Sequence, residues 1–252
     1  MDLRIKDKRA LVVGGGRGLG RCISLRLAEE GTNVAVLSRT EDEVASVVNE
    51  MGGVLRGHYS FSADLMLETS PERVFKKLTG EFGPPDIVVH NVGGTLGIRD
   101  PFSGIEDWRK VARLNLEIAI ELNRLIIPGM QQRKWGRVVH VSSAAAVRGI
   151  ASLPYVTAKA ALNAYVRGMG CAVASDGVIV TAVMPGAILT EGGDWDTRLE
   201  ENPESVKRFL EEKIAIKRFA KPEEISDIVV FLCSESASFC AGAIIPVDGG
   251  IL

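Results

Sequence analysis

The chain of 252 residues is long enough for one large α/β domain or two small ones, with an ample core. Its hydrophobic fraction of 46% and charged fraction of 25% are those of a globular protein. A net charge of -2 gives no electrostatic reason to expect nucleic acid or an anionic membrane as a partner. The N-terminus has no cleavable apolar segment and no apolar run is long enough to cross a bilayer, so we expect a cytoplasmic protein.

Short apolar runs alternate with longer amphipathic stretches along the chain, and no linker divides them into domains. The runs that predict strands lie at 9–14, 33–38, 54–62, 86–91, 136–143, 178–186 and 241–250. The stretches that predict helices lie at 20–31, at 41–51, from about 70, at 104–133, at 152–175, from about 203 and at 223–234. Pro128 is expected to disturb the end of the long fourth helix.

This alternation predicts an α/β fold with one doubly wound, Rossmann-type domain over residues 1–252. Its seven-stranded parallel sheet would carry helices on both faces. In such a sheet, ligands bind beyond the carboxyl ends of the strands. The polar motifs of the chain fall there, after strand one and at the ends of strands four, five and six.

The four cysteines form no closely spaced pair and lie in or near apolar helical stretches. We therefore expect reduced core residues, without a metal or redox role. They are Cys22, Cys171, Cys233 and Cys240.

A glycine-rich turn, VVGGGRGLGR at 12–21, follows the first strand directly and opens a helix. Glycines let the backbone approach a pyrophosphate, whose charge meets the positive end of the helix. The spacing of Gly14, Gly18 and Gly20 differs from the usual G-x-G-x-x-G fingerprint. Its place after strand one of an α/β chain nevertheless predicts a dinucleotide site.

The second strand ends with Ser38 and Arg39, and no acid follows until Glu41. An acid at the strand end would accept from a free ribose 2′-hydroxyl and repel a 2′-phosphate. Arg17 lies in the glycine turn, so two guanidiniums and a hydroxyl surround one point, which suits a phosphate dianion. The alternative is a pair of solvated surface arginines. The sequence thus favours NADP (NADPH) over NAD.

Two further stretches belong to the predicted cofactor site. Asp64, after strand three, is placed to accept from the adenine amino group, or it caps the following turn. The segment HNVGG, 90–94, ends strand four in flexible glycines and is expected to pass under the nicotinamide ribose.

Tyr155 and Lys159 stand four residues apart in a predicted helix, so both project from one face. This pair is either a packed aromatic with a snorkelling lysine or an acid whose pKa an ammonium lowers. The pair on its own leaves both alternatives open.

Together these segments resemble the short-chain dehydrogenase/reductase family, and the resemblance covers essentially the whole chain. Six segments in the correct order carry it, whereas Tyr-x-x-x-Lys alone would arise often by chance. Besides Tyr155 with Lys159, the six matching segments are 13–20, 90–93, Asn115, 142–143, 184–190 and 246–250.

The resemblance implies an NAD(P)-dependent oxidoreductase similar to 3-oxoacyl-[acyl-carrier-protein] reductases, with no metal. The catalytic residues it implies are Asn115, Ser143, Tyr155 and Lys159. The cofactor residues are Gly14, Gly16, Arg17, Gly18, Leu19, Gly20, Ser38, Arg39, Asp64, Leu65, Asn91, Gly93, Tyr155, Lys159, Pro185, Gly186, Ile188 and Thr190.

Each catalytic residue then has an expected role in hydride transfer between nicotinamide and a carbonyl. Tyr155 would give the alkoxide its proton, and Lys159 with the cationic nicotinamide would lower the pKa of that tyrosine. Ser143 would hydrogen-bond the substrate oxygen. Asn115 would hold a water that links Lys159 to solvent.

The chain departs from the family pattern at three places. Val13 replaces a threonine that usually braces the loop after strand four, and His90 and Val92 enlarge that loop. His90 either supplies the missing polar contact or only fills space. The place of the family's serine directly after strand five predicts Ser143 as the active-site serine. Its usual spacing of 13 residues before the tyrosine predicts Ser142 instead. We choose Ser143.

Residues 187–224 fill the position of the family's substrate-covering segment, with Gly192 and Gly193 as hinges. Trp195 would pack on the substrate or on the segment itself. The first substrate expected is a 3-oxoacyl thioester, and the alternative is a sugar, polyol or other secondary alcohol. A non-catalytic NADP-binding regulatory protein is the competing class. The resemblance also implies a homo-oligomer, a tetramer or dimer.

Overall fold

The computed structural model describes residues 2–251 and contains one parallel sheet in the order β3-β2-β1-β4-β5-β6-β7. The strands are β1 (Arg9–Val13), β2 (Asn33–Ser38), β3 (Tyr59–Ser62), β4 (Ile87–His90), β5 (Gly136–Val141), β6 (Val178–Pro185) and β7 (Ile244–Val247). The expected doubly wound, Rossmann-type sheet of seven parallel strands is confirmed.

Helices follow the strands in the alternation that the sequence predicts. They are α1 (Gly18–Glu29), α2 (Glu41–Glu50), α3 (Ser70–Glu81), α4 (Ile105–Ala112), α5 (Ile118–Gln132), α6 (Ala145–Arg148), α7 (Leu153–Val173), α8 (Asp194–Glu201), α9 (Pro203–Lys213) and α10 (Pro222–Leu232). Among residues 2–251, no helix has the length and apolar character needed to cross a membrane.

The sheet is covered on both faces because each strand sends alternate side chains to opposite sides. Val12 of β1 belongs to a core that includes residues of α1, α2 and α10. Its neighbours Leu11 and Val13 belong to a second core with residues of α3, α5 and α7. Burial on both sides explains why the central strands are continuous runs of Val, Ile and Leu.

The order of the sheet reverses between β1 and β4, so the loops after these two strands leave toward opposite sides and open a crevice. The two loops are joined at its floor. The backbone N–H of Asn91 donates to Val13 O at 2.9 Å, and its Nδ2 donates to Gly14 O at 3.0 Å. The crevice is where the polar motifs of the sequence converge.

The prediction that Pro128 disturbs the end of the fourth helix is wrong. Pro128 lies inside α5, which continues to Gln132. Pro128 has no N–H to donate to the carbonyl of Arg124. Both residues lie on the exposed side of the helix, where water can form this hydrogen bond instead. The irregularity lies earlier, in a π-helical turn at Arg113–Glu117 between α4 and α5.

The prediction that all four cysteines are core residues is also wrong in part. All four are free thiols, but only Cys233 is buried. Cys22 and Cys240 are half-buried and Cys171 is exposed. Cys171 lies on the solvent-facing side of α7, a face that the apolar neighbours in the sequence do not reveal.

Candidate active site

The glycine turn after β1 forms a backbone cradle at the start of α1. Gly14 and Gly18 have φ values of +80° and +51°, a region that side chains disfavour. A Cβ on Gly20 would lie 1.9 Å from Gly14 O, so only glycine allows α1 to pack this closely on the turn. The cradle presents backbone N–H groups of a helix N-terminus, which suits a pyrophosphate.

A cleft of about 410 Å³ extends from this cradle and holds most of the residues predicted to bind the cofactor. Those that line it are Gly14, Gly16, Arg17, Gly18, Ser38, Arg39, Asp64, Leu65, Asn91, Gly93 and Thr190. Leu19 and Gly20 lie behind the cradle, buried in the first turn of α1. Pro185, Gly186 and Ile188 do not line the cleft. Pro185 ends β6, Gly186 borders a separate pocket, and Ile188 packs against the first core.

Glu43 lies at the end of the cleft formed by the glycine turn and β2. A Cβ on Gly16 would lie 2.8 Å from Ser38 Oγ and 3.2 Å from Glu43 Oε2, so these groups adjoin the turn directly. Arg17, Arg39 and Glu43 all line this cleft. Sequence reasoning missed Glu43, although its place in the first turn of the helix after Arg39 is a signal that could have found it.

Asp64 caps a turn at the edge of the cleft, and its contact with adenine stays a prediction. It lines the cleft, and its Oδ1 accepts from the backbone N–H of Met66 at 2.9 Å, as a turn cap does. The second carboxylate oxygen has no partner of this kind within residues 2–251.

The loop after β4 is braced without the threonine that Val13 replaces. Asn91 supplies the brace through its hydrogen bond to Gly14 O. His90 does not supply it, because its Nε2 lies 2.8 Å from Asn123 Oδ1 in the interior instead.

The first turns of α7 bring Tyr155 and Lys159 together beside this loop. Lys159 Nζ lies 5.8 Å from the centroid of the Tyr155 ring and donates to Val141 O at 2.8 Å. Lys159 is 2% exposed, so its ammonium is held inside the protein and does not snorkel to solvent. A Cβ on Gly93 would lie 2.9 Å from Lys159 Nζ, which places the ammonium against the loop that lines the cleft.

The two serines after β5 face different partners. Ser143 forms a side-chain hydrogen bond with Tyr155. Ser142 is buried and its Oγ donates to Asn163 Oδ1 at 2.6 Å. Of the two candidates, only Ser143 is directed at the tyrosine.

Asn115 lies in the π-helical turn and clamps the loop after β4. Its Nδ2 donates to Gly94 O at 2.8 Å and to Val111 O at 2.9 Å, while its Oδ1 accepts from Gly94 N at 3.0 Å. Both amide hydrogens are therefore engaged. The side-chain amide has no free donor, and the water that Asn115 is expected to hold stays a prediction.

Several known proteins are similar to this chain over its whole length. A 3-oxoacyl-[acyl-carrier-protein] reductase FabG of Aquifex aeolicus is 31% identical over 254 residues, covering 100% of both chains. The L-xylulose reductase of Bos taurus is 31% identical, covering 100% of this chain and 99% of its own. The solved structure of L-sorbose reductase from Gluconobacter frateurii, complexed with NADPH and L-sorbose, matches with a TM-score of 0.90 and 30% identity, covering 100% and 99%.

A family model described as Enoyl-(Acyl carrier protein) reductase matches residues 14–252. The chain belongs to the short-chain dehydrogenase/reductase family. This confirms the family expected from the sequence, and the protein is an NAD(P)-dependent oxidoreductase.

Burial controls the ionisation of Tyr155 and Lys159 in this short-chain dehydrogenase/reductase. Burial raises the pKa of Tyr155, the Ser143 hydrogen bond opposes that rise, and the charge of Asp194 adds to it. Burial also lowers the pKa of Lys159 to about 8. The pKa of Tyr155 is thus raised in the chain by itself, and the lowering expected from Lys159 together with the cationic nicotinamide stays a prediction for the cofactor complex.

The segment after β6 covers the cleft of this short-chain dehydrogenase/reductase. Thr190 adjoins Gly18, and Arg99 of the loop after β4 contacts Asp194 of α8 at 3.2 Å. Trp195 packs on Phe209 and Phe219 of the same segment, with ring centroids 4.6 Å and 5.6 Å apart. Trp195 therefore packs on the covering segment, which is one of the two partners predicted for it.

Proposed function

We propose that this protein is an NADP-dependent carbonyl reductase or secondary-alcohol dehydrogenase with Tyr155 as its acid. The observation that carries the proposal is the group of Tyr155, Ser143 and buried Lys159 beside the loop after β4. A non-catalytic NADP-binding regulatory protein would have no need to bury an ammonium next to a tyrosine, since burial of a charge is costly.

NADPH, when bound, supplies the hydride. Tyr155 keeps its proton at neutral pH because burial raises its pKa, so it is ready to protonate a forming alkoxide. Ser143, already bonded to the tyrosine, would hold the carbonyl oxygen within reach of the phenol. Lys159, with a pKa of about 8, is a cation at neutral pH and would stabilise the tyrosinate left after proton transfer.

The preference for NADP rests on Arg17, Ser38 and Arg39 at one end of the cleft. Two guanidiniums favour a 2′-phosphate there, and the single carboxylate of Glu43 opposes only part of that charge. Asp64 would bind the adenine amino group through its second carboxylate oxygen.

The substrate we favour is a carbonyl with an apolar chain, such as a 3-oxoacyl thioester. Large apolar side chains are exposed on the three segments that surround the reaction centre. They are Leu96, Val147, Ile150, Leu153, Leu189 and Leu199. An apolar substrate would cover this surface at about 25 cal/mol per Å², whereas a polyol would leave its hydroxyls facing it unpaired.

Residues 187–224 would act as the cover of the substrate, with Gly192 and Gly193 as hinges. The relatives named FabG favour the thioester, and those named for L-xylulose and L-sorbose favour the sugar alternative. The exposed apolar side chains around Tyr155 support the thioester over the sugar.

We also propose a homo-oligomer, a tetramer or dimer, in the cytoplasm. Phe102, Ile105 and Phe239 are large apolar side chains exposed near the long helices and the last strand, where a second copy would cover them. Light scattering tests this, and a monomer at micromolar concentration would exclude it.

The function is tested by NADPH oxidation across 3-oxoacyl thioesters of increasing chain length, L-xylulose and L-sorbose, with NADH in parallel. We expect kcat/KM to rise about two- to fourfold per methylene. Val147→Ser should flatten this dependence, and Leu55→Ser, at an exposed site of another region, should not. Faster turnover of the ketoses would establish the sugar alternative, and turnover of no carbonyl would overturn the proposal.

A further inference from the structure

Two stacked histidines lie in the interior beside the reaction centre, and no step proposed above uses them. His90 ends β4 and His140 lies in β5, where the parallel register pairs them directly. Their ring centroids are 4.7 Å apart with an interplanar angle of 15°. Both side chains are buried, His140 completely, so their ring nitrogens need partners inside the protein.

Asn123 of α5 joins the two rings and determines their tautomers. Its Oδ1 lies 2.8 Å from His90 Nε2, and its Nδ2 lies 3.2 Å from His140 Nε2. The same Nδ2 donates to the Tyr165 hydroxyl at 3.1 Å. Because an amide oxygen accepts and an amide nitrogen donates, His90 carries its proton on Nε2. His140 accepts at Nε2 and therefore carries its proton on Nδ1.

The Nδ1–H of His140 has no partner within residues 2–251. A cavity of about 10 Å³ adjoins the ring and is lined by both histidines, Asn115, Val141 and apolar side chains. This volume takes about one water molecule. Since Asn123 occupies Nε2, Nδ1 is the ring nitrogen that remains for the cavity.

The walls of this cavity are also parts of the reaction centre. The carbonyl of Val141 accepts from Lys159 Nζ, and Asn115 clamps the loop after β4. An ammonium has three donors, so Lys159 has donors beyond its bond to Val141. An oriented acceptor beside Val141 would therefore fix the ammonium more firmly than the carbonyl alone.

We propose that His140, through its Nδ1–H, holds one water in this cavity, and that this water positions Lys159 for proton transfer with Tyr155. His140 is a positioning residue, since it acts through the water and touches neither substrate nor cofactor. The inference rests on the proposed function because the proton path begins at Tyr155.

The histidine pair must be neutral to act in this way, because an imidazolium would repel the lysine ammonium. Burial lowers the pKa of His90 to about 4, although the hydrogen bond that His90 donates to Asn123 opposes this shift. Burial is the largest cause that holds the pKa of His140 well below its usual value, and the neighbouring His90 and the charge of Lys159 add to it. Tyr165 on α7 faces the pair as a neutral phenol whose pKa burial raises. Both histidines are thus neutral at pH 7.

Two substitutions at His140 separate the positioning role from a purely structural one. In His140→Asn, the amide nitrogen can take the place of Nδ1 and keep the donor for the water, while the bond to Asn123 is lost. In His140→Gln, the longer amide can keep the bond to Asn123, while the donor at the cavity is lost. The two variants therefore remove one contact each.

Steady-state kinetics, NADPH binding and thermal unfolding are measured on both variants and the wild type. We expect His140→Gln to lower kcat about tenfold, with KM and the NADPH Kd within about twofold and a larger solvent isotope effect. His140→Asn should keep at least about a third of the wild-type kcat, even if its Tm is lower. Wild-type kcat in His140→Gln, or equal losses in both variants, would overturn the inference.

Imidazole ¹⁵N resonances test the tautomers independently of turnover. The chain has three histidines, and His58, whose Nδ1 accepts from Val34 N at 3.2 Å, is an internal reference for an Nε2–H ring. We expect an Nε2–H signal from His90 and an Nδ1–H signal from His140. The reverse pattern, which a flipped Asn123 amide would give, would overturn the inference. Absence of wild-type turnover would instead refute the proposed function.

Discussion

The two ends of the active-site cleft are built in different ways. The cofactor end is made of backbone, with Gly14, Gly18 and Gly20 shaping a cradle at the start of α1. The reaction end is made of buried side chains, with Tyr155 and Lys159 held by burial and by partners from other elements. Steric exclusion makes the cofactor end rigid, whereas desolvated polar contacts make the reaction end rigid. Substitutions at the two ends should therefore fail in different ways.

The largest expected effect is a loss of turnover without a loss of NADPH binding. Tyr155→Phe removes only the hydroxyl that donates the proton, so we expect kcat to fall about a thousandfold with NADPH Kd unchanged. Tyr59→Phe is the matched control, since Tyr59 packs edge-on against Phe82, 5.5 Å away, in another region. Stopped-flow turnover and calorimetric binding measure the two quantities. Undiminished turnover in Tyr155→Phe would remove the tyrosine from the mechanism.

The opposite result is expected at the cofactor end. Gly20→Ala would place a methyl 1.9 Å from Gly14 O, so the cradle must shift. We expect NADPH Kd to rise about 10- to 100-fold, in line with an overpacking cost of about 1–3 kcal/mol. In Gly80→Ala, on α3, nothing lies within 4 Å of the new methyl, and stability should rise by up to about 1 kcal/mol. Calorimetry and thermal unfolding measure both, and tight NADPH binding by folded Gly20→Ala would contradict the steric account.

This contrast also explains what could be predicted from the sequence. Strand and helix order followed from apolar periodicity, and the glycine turn followed from a local pattern directly after β1. The pairing of Tyr155 with Lys159 was predictable because residues four apart in a helix lie on the same face. Each of these signals is contained in one short segment of the chain.

Features that depend on several elements were not predictable. The link between His90 and His140 needs the register of β4 with β5 and Asn123 from α5. The clamp that Asn115 forms on the loop after β4 depends on the π-helical turn, which directs its amide at Gly94. The place of Pro128 inside α5 depended on which side of the helix faces solvent, which local helix propensity does not give.

A smaller effect is expected where the cofactor end uses side chains as well as backbone. Arg39→Gln removes a guanidinium from the site proposed for the 2′-phosphate, so we expect NADPH Kd to rise about tenfold and NADH Kd to stay unchanged. Glu43→Gln removes a negative charge from the same site, so it should lower the NADPH Kd several-fold. Arg124→Gln, at an exposed position on α5, is the control. Equal weakening of both cofactors by Arg39→Gln would refute the proposed specificity.

The smallest expected effect joins the two ends through the segment that covers them. Asp194 contacts Arg99, and its charge contributes to the raised pKa of Tyr155. Asp194→Asn removes that charge, so the pKa of Tyr155 falls. Because reduction needs the protonated tyrosine, its alkaline limit should move to lower pH.

At pH 7 the rate of Asp194→Asn should stay within about twofold of the wild type, since exposed ion pairs contribute little. The pH profile of kcat/KM measures the shift, and Glu200→Gln, at an exposed position on α8, is the control. Loss of the carboxylate and release of the positive charge of Arg99 both lower the pKa of Tyr155, so the two effects act in the same direction. A shift of the alkaline limit to higher pH would therefore contradict the electrostatic link between the covering segment and Tyr155.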